Sequence, residues 1–262
     1  MRTEHRVRLI DRVAIVTGAG SGIGEAIAKA FAAEGADLVL AGRRAEPLED
    51  VASVVRGLGP RALVIPTDVG SEVDVRALVA RTVGDLGRVD VLVHAAAAPA
   101  DETSVANLTL AAWSETLQST LTGAMLCARE CLIRSMLPRR SGAIVNIAST
   151  AGLRGVPGRA HFSAAKAGLI RFTEALAREV GPQGVRANCI VPGAVSTERL
   201  DLHHERLSAM RGVALERVVE EASRRVALRR LISPEEVASV AVFLASEQAS
   251  GITGETVRVT GG

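Results

Sequence analysis

Short apolar runs alternate with amphipathic segments along nearly the whole chain. Residues 13–17, 38–41 and 62–66 are dominated by apolar side chains, and each run is followed by a stretch with apolar residues at helical spacing, over 23–33, 48–58 and 73–86. Residues 89–94, 143–148, 186–191 and 255–259 continue the strand-like runs, with a long helix predicted around 108–137 and another near 163–180. Short continuous apolar runs, as opposed to alternating ones, belong to strands covered on both faces, and separated by helices they build a parallel sheet. The pattern predicts an α/β, doubly wound Rossmann-type fold: a seven-stranded, mainly parallel sheet with helices on both faces.

The alternation breaks over residues 196–230, a polar, arginine-rich insertion before the helix opened by Ser233-Pro234-Glu235-Glu236. Ser233 and Glu236 have capping-box spacing, which marks that helix start. No linker, charge block or repeat divides the chain, so residues 1–262 are read as a single dinucleotide-binding domain, with the insertion as a substrate lid.

Composition then excludes several classes. Thirty-one Lys plus Arg against 29 Asp plus Glu leave a formal charge of +2, which gives no broad basic surface for nucleic acid or an anionic membrane. No apolar stretch reaches the roughly 18 residues of a membrane helix, and the N-terminal residues carry no signal-type segment, so a cytoplasmic protein is expected. Cys127, Cys131 and Cys189 lack C-x-x-C spacing and read as buried thiols. No two of His5, His94, His161, His203 and His204 stand at the i, i+4 spacing that turns two imidazoles toward one ion, and no metal is expected.

Candidate chemistry begins at the end of the first strand, in Thr17-Gly18-Ala19-Gly20-Ser21-Gly22-Ile23-Gly24. Glycines there let the chain turn sharply and approach a pyrophosphate, while the following helix aims its amides and dipole at the negative charge. The second strand ends in Gly42-Arg43-Arg44, and the nearby acid, Asp37, begins that strand at the wrong edge to meet a ribose hydroxyl. Two guanidinium groups where a 2′-phosphate would lie favour NADP, with NAD as the alternative.

The spacing Thr17-Gly18-x-x-x-Gly22-x-Gly24, with Asp68-Val69, Asn146-Ile147-Ala148-Ser149, Lys166 and Pro192-Gly193, resembles the short-chain dehydrogenase/reductase family over nearly the whole chain. The ending 254–262 is also similar, with Thr260 where an Asp is usual. The resemblance implies that Gly18, Ser21, Gly22, Ile23 and Gly24 hold the cofactor phosphates and that Asp68 and Val69 meet the adenine. It further implies that Ala95 lines the cofactor, Lys166 binds the nicotinamide ribose, and Val195 and Thr197, after Pro192-Gly193, hold the carboxamide. Asp68 also stands where it would cap the helix beginning near Ser71. A homotetramer, built through the long helix and the helix after Phe162, is implied as well.

The family's proton transfer uses an Asn, a Ser, a Tyr and a Lys. By that resemblance the catalytic positions here are Ser149, Lys166, Phe162 in the Tyr position and Thr120 in the Asn position, and the chain contains no tyrosine. The family's Asn-Asn-Ala-Gly stretch reads His94-Ala95-Ala96-Ala97. Phenylalanine cannot transfer a proton. His161, one helix step of about 100° from Phe162, is a substitute with poor geometry. Ser149, Thr120, Lys166 and a water form another route, and His203 or His204 reaching in from the insertion a third.

Three functions follow. The leading one is hydride transfer between NADP(H) and a carbonyl or alcohol on a small-molecule substrate. The second is reduction of an enoyl or dienoyl thioester, in which Arg199, Arg206 and Arg211 of the insertion would meet an anionic substrate. The third is a non-catalytic NADP-binding protein.

Overall fold

The computed structural model describes residues 8–98, 101–224 and 226–262; His5 lies outside the described residues. Seven strands form one sheet in the order β3-β2-β1-β4-β5-β6-β7: β1 (Val13–Thr17), β2 (Asp37–Gly42), β3 (Ala62–Pro66), β4 (Val91–His94), β5 (Gly142–Ile147), β6 (Val185–Pro192) and β7 (Thr256–Val259). Every neighbouring pair is parallel. The doubly wound expectation holds, and each predicted strand is present with shifts of one or two residues at some ends.

Helices cover both faces. On one, α1 (Gly22–Ala33), α2 (Ala45–Gly57) and α10 (Pro234–Ala245) bury Ile27, Phe31, Leu48, Val51 and Val242 against Val16, Leu38 and Val93. On the other, α3 (Glu72–Leu86), α5 (Gly123–Cys131) and α7 (Ala160–Val180) bury Val75, Leu78, Leu126 and Leu176 against Ile15, Leu92 and Ile144. Alternate residues of β1 thus serve opposite cores, as the period of two in a strand requires. The capping box at Ser233 and Glu236 forms as its spacing predicts. At α3 the cap is Ser71, whose hydroxyl accepts the Asp74 amide; Asp68 instead accepts the Gly70 amide at 2.9 Å and caps no helix.

Two stretches depart from the expected elements. The long helix is a chain of α4 (Leu110–Leu117), α5 and α6 (Leu137–Arg139), joined by π-helical turns over Gln118–Thr122 and Leu132–Met136. A π turn inserts an extra residue, which apolar spacing over a long span does not resolve. The insertion contains two helices, α8 (Glu198–Arg211) and α9 (Leu215–Arg224), beyond which Val195 and Ile232 pair as an isolated parallel bridge. Apolar residues scattered around α8, without a stripe on one face, hide it from a periodicity reading: among its residues His204 alone is buried.

The strand order reverses between β1 and β4, so the loops at their carboxyl ends part there and leave a crevice, the usual ligand position in such sheets. Among the described residues, no helix is long and apolar enough to cross a membrane.

Candidate active site

The turn after β1 is built from backbone that side chains would block. Gly18 has φ +68°, and a Cβ on it would lie 2.9 Å from the Ala96 nitrogen in the loop after β4. Gly24 is tighter: its Cβ would lie 2.1 Å from the Gly18 carbonyl oxygen. The two glycines allow the start of α1 to press onto the turn, with Thr197 alongside Gly22. Ser21 caps α1 in extended conformation but makes no side-chain cap bond, leaving its hydroxyl and the first helix amides available to an anion. The cradle therefore fits a dinucleotide pyrophosphate.

The other cofactor positions from the sequence border the same carboxyl edge. Ala95 follows β4 and donates its amide to the Thr17 carbonyl at 3.3 Å. Asp68 is exposed and Val69 buried after β3, where Gln118 of the π turn binds the Gly70 carbonyl at 2.6 Å. Gly193 lies against Thr260, Val195 is buried in its bridge to Ile232, and Thr197 opens α8. Arg43 and Arg44 are both exposed at the end of β2; Arg43 lies 3.9 Å from Glu115, an exposed pair that a phosphate can displace.

Lys166 is the buried charge of the site. Its ammonium donates to the Ile147 carbonyl at 2.7 Å, and burial pushes it down to about 8, with Cys189 opposing and the nearby charge of Arg199 reinforcing the shift. Ser149 opens the turn after β5 and accepts the Ala151 amide at 3.2 Å. That turn rests on the α7 backbone because Gly152 has no side chain: a Cβ there would meet the Lys166 carbonyl carbon at 2.7 Å. Ser149, the Ile147 carbonyl and Lys166 are thereby brought to one place, with Phe162 packed on Ala151.

Phe162 is 7% exposed, and three cations stand over its ring: the Arg159 guanidinium carbon at 4.6 Å from the centroid, the Lys166 nitrogen at 5.6 Å and the Arg199 guanidinium carbon at 5.9 Å. Arg159 is absent from the residues expected from sequence, although its spacing of three before Phe162 on a helix start puts both on one face. Arg199 comes from α8, and no local spacing connects it to this point.

Thr120 lies within the first π turn, fully buried, its hydroxyl without a partner. His94 bridges Thr17 at 3.1 Å and the Ser119 carbonyl at 3.2 Å, tying β1 and β4 to that turn. Burial, then the charge of Lys166, push His94 down to about 3, so it is a neutral strut. The histidines make no ring contact with Phe162 among the described residues. His161 is buried with Nδ1 unpartnered and borders a cleft lined by Asp101, Thr116 and Glu115. His204 is buried in α8 with Nδ1 unpartnered, its ring centroid 6.1 Å from that of His203. Of the three arginines expected to meet an anionic substrate, two are already neutralised: Arg206 binds Asp101 at 3.1 Å and Arg211 binds Glu221 at 2.9 Å. The three cysteines are buried free thiols, and among the described residues no group of three or more His, Cys, Asp or Glu side chains is placed to hold a metal.

A parallel doubly wound sheet with a glycine cradle at its switch point and a Ser-Lys pair beside it defines the class of dinucleotide-dependent oxidoreductases. A family model described as enoyl-(acyl carrier protein) reductase matches residues 18–262. The cis-4-hydroxycyclohexanecarboxylate dehydrogenase of Sinomonas cyclohexanicum is 38% identical over 252 residues, covering 96% of each chain. Among solved structures, a single-residue variant of actinorhodin polyketide ketoreductase with NADPH aligns at TM-score 0.91 with 36% identity over 96% of each chain. A NAD⁺-bound xylitol dehydrogenase aligns at TM-score 0.91 with 30% identity, over 97% of this chain and 99% of that one. The chain belongs to the short-chain dehydrogenase/reductase family.

Proposed function

We propose that the protein is an NADP-dependent oxidoreductase that transfers a hydride between the cofactor and a carbonyl or alcohol on a small molecule. The observation that carries this reading is the Lys166 ammonium, buried beside the Ser149 turn at the carboxyl edge that also holds the glycine cradle. Gly18, Ser21, Gly22, Ile23 and Gly24 would hold the pyrophosphate, Asp68, Val69 and Ala95 the adenosine side, and Pro192, Gly193, Val195 and Thr197 the nicotinamide end. Arg43 and Arg44 would pair with the 2′-phosphate and select NADP over NAD. Bound there, the nicotinamide supplies the hydride.

The residues of this chain supply position and a proton. Ser149 donates a hydrogen bond to the substrate oxygen. Lys166 holds the ribose and, with an ammonium near 8, passes a proton through water to that oxygen; Phe162 occupies the tyrosine position of the family and contributes no proton. The Thr120 hydroxyl, unpartnered beside His94, holds that water in the asparagine position. Residues 196–230 cover the substrate as a lid on a single cytoplasmic domain, and exposed Leu110 and Ile133 on the long helix support its association into a homotetramer.

Reduction of an enoyl or dienoyl thioester is the second reading, favoured by the phenyl ring itself, because protonation at carbon does not need the phenol. Steady-state NADPH oxidation with matched ketones and enoyl thioesters tests the choice. Ketone turnover that falls as pH rises through about 8 is expected from Lys166. Turnover of the thioesters alone selects the second reading, and NADPH binding without hydride loss to either class reduces the protein to a nucleotide binder.

A further inference from the structure

Arg159, Lys166 and Arg199 converge on one apolar ring, and among the described residues none of them forms an ion pair. Lys166 is accounted for by the Ile147 carbonyl. The two arginines are not. The Arg159 Nε is buried without a hydrogen-bond partner, and Arg199 reaches the Ala98 carbonyl at 3.4 Å, a long contact for a guanidinium. The acid nearest in role, Asp101, is held by Arg206 instead.

Like charges crowd at a cost. Burial and then the charge of Arg159 push Arg199 below the ordinary guanidinium range, with Asp101 partly opposing. Two guanidinium forks in a shared partly desolvated place match a planar, bidentate anion better than a hydroxyl or an alkyl chain. Phe162, its ring centroid 4.6 Å and 5.9 Å from the two guanidinium carbons, offers an apolar surface between the body of the fold and α8. Its ring faces both guanidinium groups, so its cation–π attraction holds them in place without consuming their hydrogen-bond donors.

We propose that Arg159 and Arg199 form a carboxylate clamp that selects substrates carrying a carboxylate on a small carbon skeleton. The clamp rests on the reading of Lys166 and Ser149 as the reacting site, and it places the acid group on the Phe162 side, away from the glycine cradle. Because Arg159 lies at the start of α7 and Arg199 on α8, binding of the anion also ties the insertion to the body of the fold. The other anion at hand is the cofactor phosphate, and the two sources are separable by experiment.

The probes are 4-oxocyclohexanecarboxylate, 3-oxocyclohexanecarboxylate and levulinate, each beside its neutral carboxamide. Binding to the NADPH-saturated protein is read by calorimetry, and NADPH affinity is titrated separately. At least one acid is expected to bind at least tenfold tighter than its amide. Arg159→Met and Arg199→Met should each remove most of that preference while leaving NADPH affinity within about twofold, and Arg199→Lys should restore part of it. Equal or undetectable millimolar binding of every acid and amide overturns the clamp, as does a loss of NADPH affinity in the variants with the preference unchanged. Circular dichroism and the NADPH titration report whether each variant folds; if Arg159→Met does not, Arg199→Met and Arg199→Lys decide. Acid-selective binding without any NADPH oxidation would leave the clamp standing and remove the carbonyl-reductase reading.

Discussion

Asp90 and Phe162 sit near opposite edges of the same sheet, and each gathers three cationic side chains. At the amino edge, before β4, the Asp90 carboxylate receives Arg88 at 2.8 Å, Arg139 at 2.6 Å, Arg12 at 3.9 Å and the Val13 amide at 2.9 Å. Burial alone would raise this carboxyl, but the Val13 amide and the guanidinium groups of Arg88 and Arg139 outweigh it and hold it below its usual range. At the carboxyl edge the three cations stand around a hydrocarbon ring, and among the described residues none of them is paired with an acid. The first cluster is internally closed and contributes to stability. The second keeps its charge open, at a folding cost, in the place where a ligand would arrive.

The contrast can be broken most forcefully at Asp90. Asp90→Asn removes the acid and leaves three cations facing one another; their partial exposure keeps the loss toward the low end of the buried-pair range, about 3 kcal/mol. Urea unfolding measures it, and a loss below about 1 kcal/mol would show that the cluster is not a stability element. The same carboxyl sets an acid limit. Its folded value lies below its unfolded one, so its contribution is complete above about 4 and disappears as pH falls through the folded value. Thermal unfolding across that window should show a smaller acid loss in Asp90→Asn than in the unmodified protein.

At the other edge, Phe162→Tyr adds a hydroxyl among the three cations. Ketone reduction should rise about tenfold, or about 1.4 kcal/mol of barrier, which is less than a full general acid provides because, on the proposed reading, Thr120 stands in the asparagine position. Brisk turnover by the unmodified protein that slows in Phe162→Tyr would show that Lys166 and water are the better proton route. Replacing Arg43 and Arg44 together with Ala should cost about tenfold in NADPH affinity and little in NADH affinity, by titration of both cofactors. Equal affinities in the unmodified protein would refute the 2′-phosphate assignment. The smallest effect is expected at the exposed Arg206–Asp101 pair, where Arg206→Ala should change unfolding free energy by less than about 1 kcal/mol.

These edges are unequally legible in the sequence. Strands such as 13–17 and 62–66 announce themselves because they are buried on both faces, and the glycine turn because its spacing has a geometric reason at each position. Ser149 and Lys166 emerge by resemblance, and their junction through Gly152 needs the packed structure. Arg159 is readable in principle from its step to Phe162. Arg199 groups in sequence with Arg206 and Arg211 as one charged face, and tertiary contacts alone separate the unpaired member from the two that acids neutralise. His94 reads as a missing asparagine, whereas its two ring nitrogens reveal a structural tie.

The bridge between Val195 and Ile232 has a bearing on how such a site changes. The intervening segment leaves and re-enters the body at adjacent points, with the Ser196 amide bound to the Ile232 carbonyl at 2.8 Å and the Ile232 amide to the Ala194 carbonyl at 3.0 Å. To the sheet it is a loop closed at its base, and doubling the length of such a loop costs roughly 0.6 kcal/mol in chain entropy. The described part of this segment therefore joins the body chiefly at that closed base, with a further tie from the Leu228 amide to the Gly261 carbonyl at 2.9 Å. A graft there can replace Arg199 and redirect substrate choice, while Arg159, Lys166 and the glycine turn stay on the permanent frame.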